Sequence, residues 1–378
     1  MTAALTEFNK TAESIRLFVT NIENRNSTIS HVLDSGEIFS DQVTAWARSN
    51  ATFKEAKGYD YASVIILLYG ALERYIEEAA EEFLESAVDC YRSFLTLPDR
   101  LRNAHFTHTL SHIQRSKDSR YDGDATTEEL VAALGNCLAD FQGFRIIPES
   151  LLHHTANFRP AVVSEFFLRF DLENINEKII GSKPFADYLS RNEKAVAEQK
   201  PEASLDLINL LVGRRNQIAH GDLSDILGIN EMLPYCDMLE AYCRGLDEVL
   251  AADLINRIMI NCGIDHGHPL DVHNKNIVCI NSKGVVISVG DELAISGGGG
   301  KWQSVLIQEI QINKKPVKSS VRGIDEPIAL RVTGRCKVNW IVKSGCVADA
   351  AEIGRIRKEF REEAAKLEAP HQPDIGPL

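Results

Sequence analysis

Along the first two-thirds of the chain, apolar positions recur every three or four residues. "LTEFNKTAESIRLFVTNIENRN" sets Leu5, Phe8, Ile15, Phe18 and Ile22 among polar residues at helical spacing. A longer second helix is expected from about Tyr59 to Phe94, a stretch without proline that only Gly70 interrupts. Leu97-Pro98-Asp99 marks its end and a new helical start. Asp124 to Glu128 supply capping residues for "LVAALGNCLADF", and Pro148 to Gln199 reads as short helices and loops. Two strong amphipathic helices, "PEASLDLINLLVGRRNQIAHG" and "LPYCDMLEAYCRGLDEVLAADLINRIM", then follow across a short polar loop.

Near Cys262 the period shortens to two. "NIVCINSKGVVISVGDELAI", "KWQSVLIQEIQI" and "IALRVTGRCKVNWIVKS" are β-branched, alternate in polarity and are divided by Gly and Asn-Ser turns. About five short strands in some eighty residues predict a small barrel or sandwich. "CVADAAEIGRIRKEFREEAAKLE" reads as a last charged helix before a Pro-bearing, disordered tail. The expected fold class is α+β and multidomain. An all-α helical bundle spans 1–258 with an insertion at about 98–200, a small all-β domain spans 262–345, and a helix and tail span 346–378.

Composition changes little in this picture. Of 378 residues, 44% are hydrophobic and 25% charged, as in soluble globular proteins. The longest apolar run, Ala62 to Leu72, is far short of the ~20 residues of a membrane span. "MTAALTEFNKTAES" lacks the basic and apolar regions of a secretory signal. Eight scattered cysteines without a CxxC read as reduced thiols, so a cytoplasmic location without membrane contact is expected. The net charge of −13 matters more. It excludes a general polyanion-binding surface, so any nucleic-acid contact has to be local.

The candidate chemistry lies in "LLVGRRNQIAHGD", residues 211 to 223. A basic last turn followed by Gly221 is ordinary helix-end physics. Asn216 is less ordinary, because its side chain competes for backbone hydrogen bonds within a helix. It shares a face with His220, four residues on, and Arg215 reaches the same spot. Metal-independent RNA cleavage requires a base for the ribose 2′-OH, an acid for the leaving 5′-oxygen and cationic stabilisation of the phosphorane. Histidine titrates near neutrality and arginine holds phosphate bidentately. One histidine does both proton jobs poorly, so two copies meeting across a symmetric dimer are the natural design.

Arg215-Asn216-x-x-x-His220 at a helix end, followed by Gly221-Asp222 and another helix, resembles the HEPN superfamily. "LDLINLLVGRRNQIAHGD" is most similar to its RiboL-PSP-HEPN group of bacterial defence-associated proteins. The resemblance is strong over about Ser204 to Leu250, weaker over residues 59 to 94, and does not reach the β region. It implies a helical bundle and a homodimeric, metal-independent endoribonuclease, with no cofactor, in anti-phage defence, abortive infection or a toxin system. RNA is the implied substrate, with an antitoxin or defence-system protein as partner. Arg215 would grip the scissile phosphate, Asn216 order the site and His220 act as acid/base. Arg214 lies outside the core motif and is a supporting residue. Glu73, inside the most apolar helix, is the candidate to steady the arginine, against a surface pairing of its own. The rival reading is a catalytically silent HEPN module that binds a nucleotide or partner, or only dimerises and presents the β domain.

Three other patterns carry less. Arg100 and His105 repeat the Arg–His spacing, but Leu101 replaces the polar residue. His105, His108 and His112 read as a polar or half-exposed helical face. Cys262, His266, His268, His273 and Cys279 match no zinc spacing and read as an interdomain linker. "GGGGKW", Gly297 to Trp302, fails the phosphate-loop pattern and reads as a hairpin tip.

Overall fold

The computed structural model describes residues 2–53, 55–115, 125–139, 144–191, 205–261, 263–297, 302–321 and 323–344. The helix expected beyond residue 346 and the tip residues Gly298 to Lys301 lie outside these. In chain order the helices are α1 (Ala3–Asp34), α2 (Asp41–Thr52), α3 (Ala56–Asp89), α4 (Asp99–Arg115) and α5 (Thr127–Leu138). Then come α6 (Pro148–Leu152), α7 (Pro160–Leu168), α8 (Ile175–Ile180), α9 (Lys183–Arg191), α10 (Asp206–Ala219) and α11 (Ile229–Asn261). By internal contacts the chain forms two compact units, residues 1–83 with 148–250 and residues 84–147 with 251–378.

The first unit is built on α1, α3 and α11. Along α3, Tyr61, Val64, Ile65, Leu68, Tyr69, Leu72, Tyr75, Ile76, Ala79, Ala80 and Phe83 are buried. That three-and-four spacing makes one wide apolar stripe, and each large side chain in it contributes ~1.5–3 kcal/mol. Polar ties fix the helix register. The Tyr75 hydroxyl donates to the Cys243 carbonyl at 2.6 Å, and Arg16 of α1 pairs with Asp237 and Glu240 of α11 at 2.6 and 2.9 Å. Gly245 permits a close approach, since a Cβ there would meet Ser182 Oγ at 2.6 Å. Phe158, Phe166, Phe167 and Phe170 form an aromatic cluster, with Phe158 and Phe166 centroids 5.1 Å apart.

In the second unit, α5 begins with a capping box. Thr126 Oγ1 accepts the Glu129 N–H, and the Glu129 carboxylate accepts the Thr126 N–H. Two of the three α4 histidines correct the expectation of a polar, half-exposed face: His105 and His112 are buried, as is Thr109, whereas His108 is half-buried. The His105 ring lies 3.2 Å from Thr109 Oγ1 and 3.6 Å from Cys137 Sγ of α5. Burial pushes its pKa down to about 4, so this is a neutral core histidine.

Residues 264–344 form β1 (Ile264–Gly267), β2 (Asp271–His273), β3 (Ile277–Asn281), β4 (Glu292–Ser296), β5 (Gln303–Ile312), β6 (Lys315–Val317), β7 (Pro327–Val332) and β8 (Ile341–Ser344). They make one curled antiparallel sheet, in the order β1-β8-β4-β5-β7-β3-β2, with β6 on β5. β5 does the curling: its first half pairs β4, its second half β7 and β6, and a bulge separates Ile307 from Glu309. Val278, Ile280, Leu293, Ile295, Val305, Ile307, Leu330 and Val342 fill the concave side.

The histidine-rich stretch is therefore not a linker. It folds into β1, β2 and the start of β3, and His266 is structural. Its Nδ1–H donates to the Asn281 carbonyl at 2.8 Å, which leaves Nε2 to accept from Ser344 Oγ at 2.7 Å. Among the described residues no group of three or more His, Cys, Asp or Glu side chains converges on a metal position.

Candidate active site

α10 ends as its sequence dictates. His220 is the C-cap, and Gly221 takes φ +79°. The Gly221 N–H reaches the Ile218 carbonyl and the Asp222 N–H the Gln217 carbonyl, each at 2.9 Å. This is the double closure of a Schellman turn, and it fixes the backbone from which His220 projects. The His220 side chain is exposed and has no hydrogen-bond partner among the described residues.

Arg215 and Asn216 are half-buried and held. The Arg215 guanidinium carbon lies 5.3 Å from the centroid of the Tyr69 ring, and Arg215 donates to Asn216 Oδ1 at 3.3 Å. Asn216 Oδ1 also accepts from Asn157 Nδ2 at 2.8 Å. With two donors on its oxygen, the Asn216 amide is oriented, and its NH₂ group is left facing away as a donor.

Beneath these lies a polar network that the motif does not reveal. The Tyr69 hydroxyl donates to Glu73 Oε1 at 2.8 Å, lies 3.3 Å from Asn157 Oδ1 and accepts the Phe158 N–H at 3.2 Å. Burial first, then the Glu73 carboxylate, pushes the phenol well above its ordinary pKa. One α-helical step on from Glu73, Glu77 accepts from His154 Nε2 at 2.8 Å. His154 Nδ1 sits 2.9 Å from the Ala156 carbonyl. With acceptors on both sides, both ring nitrogens must donate, which is the imidazolium; the Glu77 bond raises the His154 pKa. Tyr69, Glu73 and Glu77 thus form one polar line on α3, and the loop 153–159 is hung from it.

Of the residues singled out from sequence, Arg215, Asn216 and His220 lie together at the end of α10. Glu73 reaches them at one remove. No ion pair joins it to Arg215; it holds the hydroxyl of the tyrosine on whose ring Arg215 rests. Arg214 turns the other way. It donates to the Tyr61 hydroxyl at 3.1 Å and pairs with Asp225 at 3.1 Å, pinning the loop after α10 to α3. Tyr69, Asn157, His154 and Glu77 escaped sequence reasoning. The signal available was the i, i+4, i+8 spacing of Tyr69, Glu73 and Glu77. A groove of about 510 Å³, lined by Lys183, Arg191, Asp237 and Arg244 among others, lies away from this cluster.

A helical bundle with an Arg-polar-x₃-His motif at a helix end defines a HEPN-type protein. The sequence profile of the RiboL-PSP-HEPN family matches residues 20–252, more than half of the chain, and the chain belongs to that family. HEPN domains bind RNA, are commonly ribonucleases and often dimerise. Among curated proteins none matches the chain significantly. Among the described residues no helix is long and apolar enough to cross a membrane.

Proposed function

We propose that the chain is a metal-independent endoribonuclease that cleaves RNA by attack of the ribose 2′-OH, with Arg215, Asn216 and His220 contributed by each subunit of a homodimer. The observation that carries this reading is the contrast at the end of α10. Arg215 and Asn216 are oriented by Tyr69 and Asn157, whereas the adjacent His220 ring is exposed and unengaged. Arg215 and the Asn216 NH₂ group would hold the scissile phosphate, and His220 would move the proton. Exposed Ile66 and Leu67 on α3 and Leu210 on α10, on the two helices that carry the cluster, supply an apolar face for the second subunit. Action in anti-phage defence or a toxin system, with a protein partner that restrains it, belongs to the same reading. So does the division into a helical domain over 1–258, a β domain over 262–345 and a C-terminal segment.

The test is incubation of the purified protein with RNA in EDTA. Fragments ending in 2′,3′-cyclic phosphate are expected, with His220→Ala slower by about 10²–10⁴-fold. Cleavage that His220→Ala leaves intact would sink the assignment.

A further inference from the structure

We propose that one end of the curled sheet is a docking surface for single-stranded RNA, formed by Lys275, Arg335 and Lys337. Charge distribution makes the first case. Residues 263–344 hold eleven Lys and Arg against seven Asp and Glu, in a chain whose net charge is −13. The β region is thus the cationic part of an acidic protein, the local footprint that polyanion binding requires.

The fold then gathers three of these cations from separate segments. Lys275 sits in the three-residue turn between β2 and β3, and Arg335 and Lys337 flank Cys336 in the loop after β7. The Cys336 N–H donates to the Lys275 carbonyl at 2.7 Å, and the Val332 N–H to the Asn276 carbonyl at 2.9 Å. Cys336 is buried in the sheet core, so its neighbours Arg335 and Lys337 are turned outward and are exposed. Gly334 lets this loop lie flat on β5, since a Cβ there would meet Val305 Cγ1 at 2.3 Å.

The cations are uncompensated. Among the described residues none of the three has a carboxylate in ion-pair range, while the nearby carboxylates are occupied. Asp271 pairs with His273 and Glu309 with Arg331, each at 3.1 Å. Lys275 also stands at φ +64°, after Asn274 at +52°. Glycine suits such a position best, and a lysine there costs about 1 kcal/mol of stability.

The choice of RNA among polyanions rests on the ribonuclease reading above, so the experiment measures binding rather than cleavage. Full-length His220→Ala protein is titrated with a labelled single-stranded RNA by fluorescence anisotropy at several salt concentrations. Adding Lys275→Gln, Arg335→Gln and Lys337→Gln is expected to weaken binding at least tenfold at 0.1 M salt. The log–log salt slope should flatten by about 2, since each phosphate contact on a single strand contributes ~0.7. The charge-matched control Lys314→Gln/Lys315→Gln/Lys318→Gln, at the β5–β6 turn and just after β6, is expected to change affinity less than twofold. Lys275→Gly separates charge from folding: it should raise the melting temperature while lowering RNA affinity. Unchanged affinity in the triple variant overturns the proposal, and so does equal loss in the control. Binding to anionic lipid vesicles but not RNA overturns it too. If patch variants lose RNA that the wild type never cleaves, the docking surface stands and the catalytic reading falls.

Discussion

The Tyr69 hydroxyl takes the Phe158 N–H and gives its proton to Glu73, while its ring carries the Arg215 guanidinium. Tyr69→Phe separates the two roles. The ring remains under Arg215, but the Phe158 N–H and one Glu73 oxygen lose a partner, a cost of about 1–3 kcal/mol. The expected outcome is a lower melting temperature with RNA cleavage reduced but not abolished; full activity at full stability would contradict the network. Tyr69→Leu, which removes the ring as well, should cost further activity. Much of the candidate cluster is legible in the sequence, because Arg215, Asn216 and His220 lie within one and a half helical turns. What is illegible is long-range: Asn157 is 59 residues from Asn216 and 88 from Tyr69. No local pattern distinguishes a loop asparagine that orients a site from one that only solvates a turn.

At the scale of elements, α3 shows how one helix serves two surfaces. Its buried stripe fills the core, while Ile66 and Leu67, 42% and 46% exposed, lie on the other side within a turn of Tyr69. A double Ile66→Glu/Leu67→Glu change removes no fully buried side chain. It should leave the melting transition of the monomer within ~0.5 kcal/mol and shift the sedimentation profile from dimer to monomer. An unchanged profile would remove this face from the proposed subunit contact. The helices were readable because their apolar period persists over many turns, as in α1, α3 and α11. Strands β1 and β2 were not, because "IDHG" and "DVH" are too short to show alternation. Their histidines read as linker in sequence, although His266 is a buried staple between β3 and β8.

At the scale of the whole molecule, two histidines set opposite pH limits. The folded chain keeps His105 neutral to about pH 4, whereas the unfolded chain protonates it near its ordinary value of 6.5. Between these values the unfolded state binds more protons, so stability falls as pH drops from about 6.5 to about 4, by on the order of 3 kcal/mol. His154 acts in the opposite sense. Its folded pKa is raised, so its contribution is complete below about 6.5 and is lost as pH rises through the raised value. Thermal melts across pH should show both limbs. His105→Gln should flatten the acid limb and His154→Gln the alkaline one; limbs that persist unchanged in these variants would refute the assignment. The fold class could be read from the change of period near residue 262. The grouping of residues 84–147 with the chain beyond 250 could not, because it depends on which distant surfaces meet.

That grouping has a consequence for the chain as it is made. The first unit is complete once Leu250 has left the ribosome, with Tyr69, Asn157 and the whole of α10 already present. Residues 84–147 are synthesised earlier than much of that unit, yet the rest of their own unit lies beyond residue 250. The Arg215-Asn216-x₃-His220 motif is therefore translated in full before the middle of the chain has its packing partners. A nascent chain from which Leu250 has just emerged would hold one subunit's share of the cluster before residues 84–147 can complete their own unit.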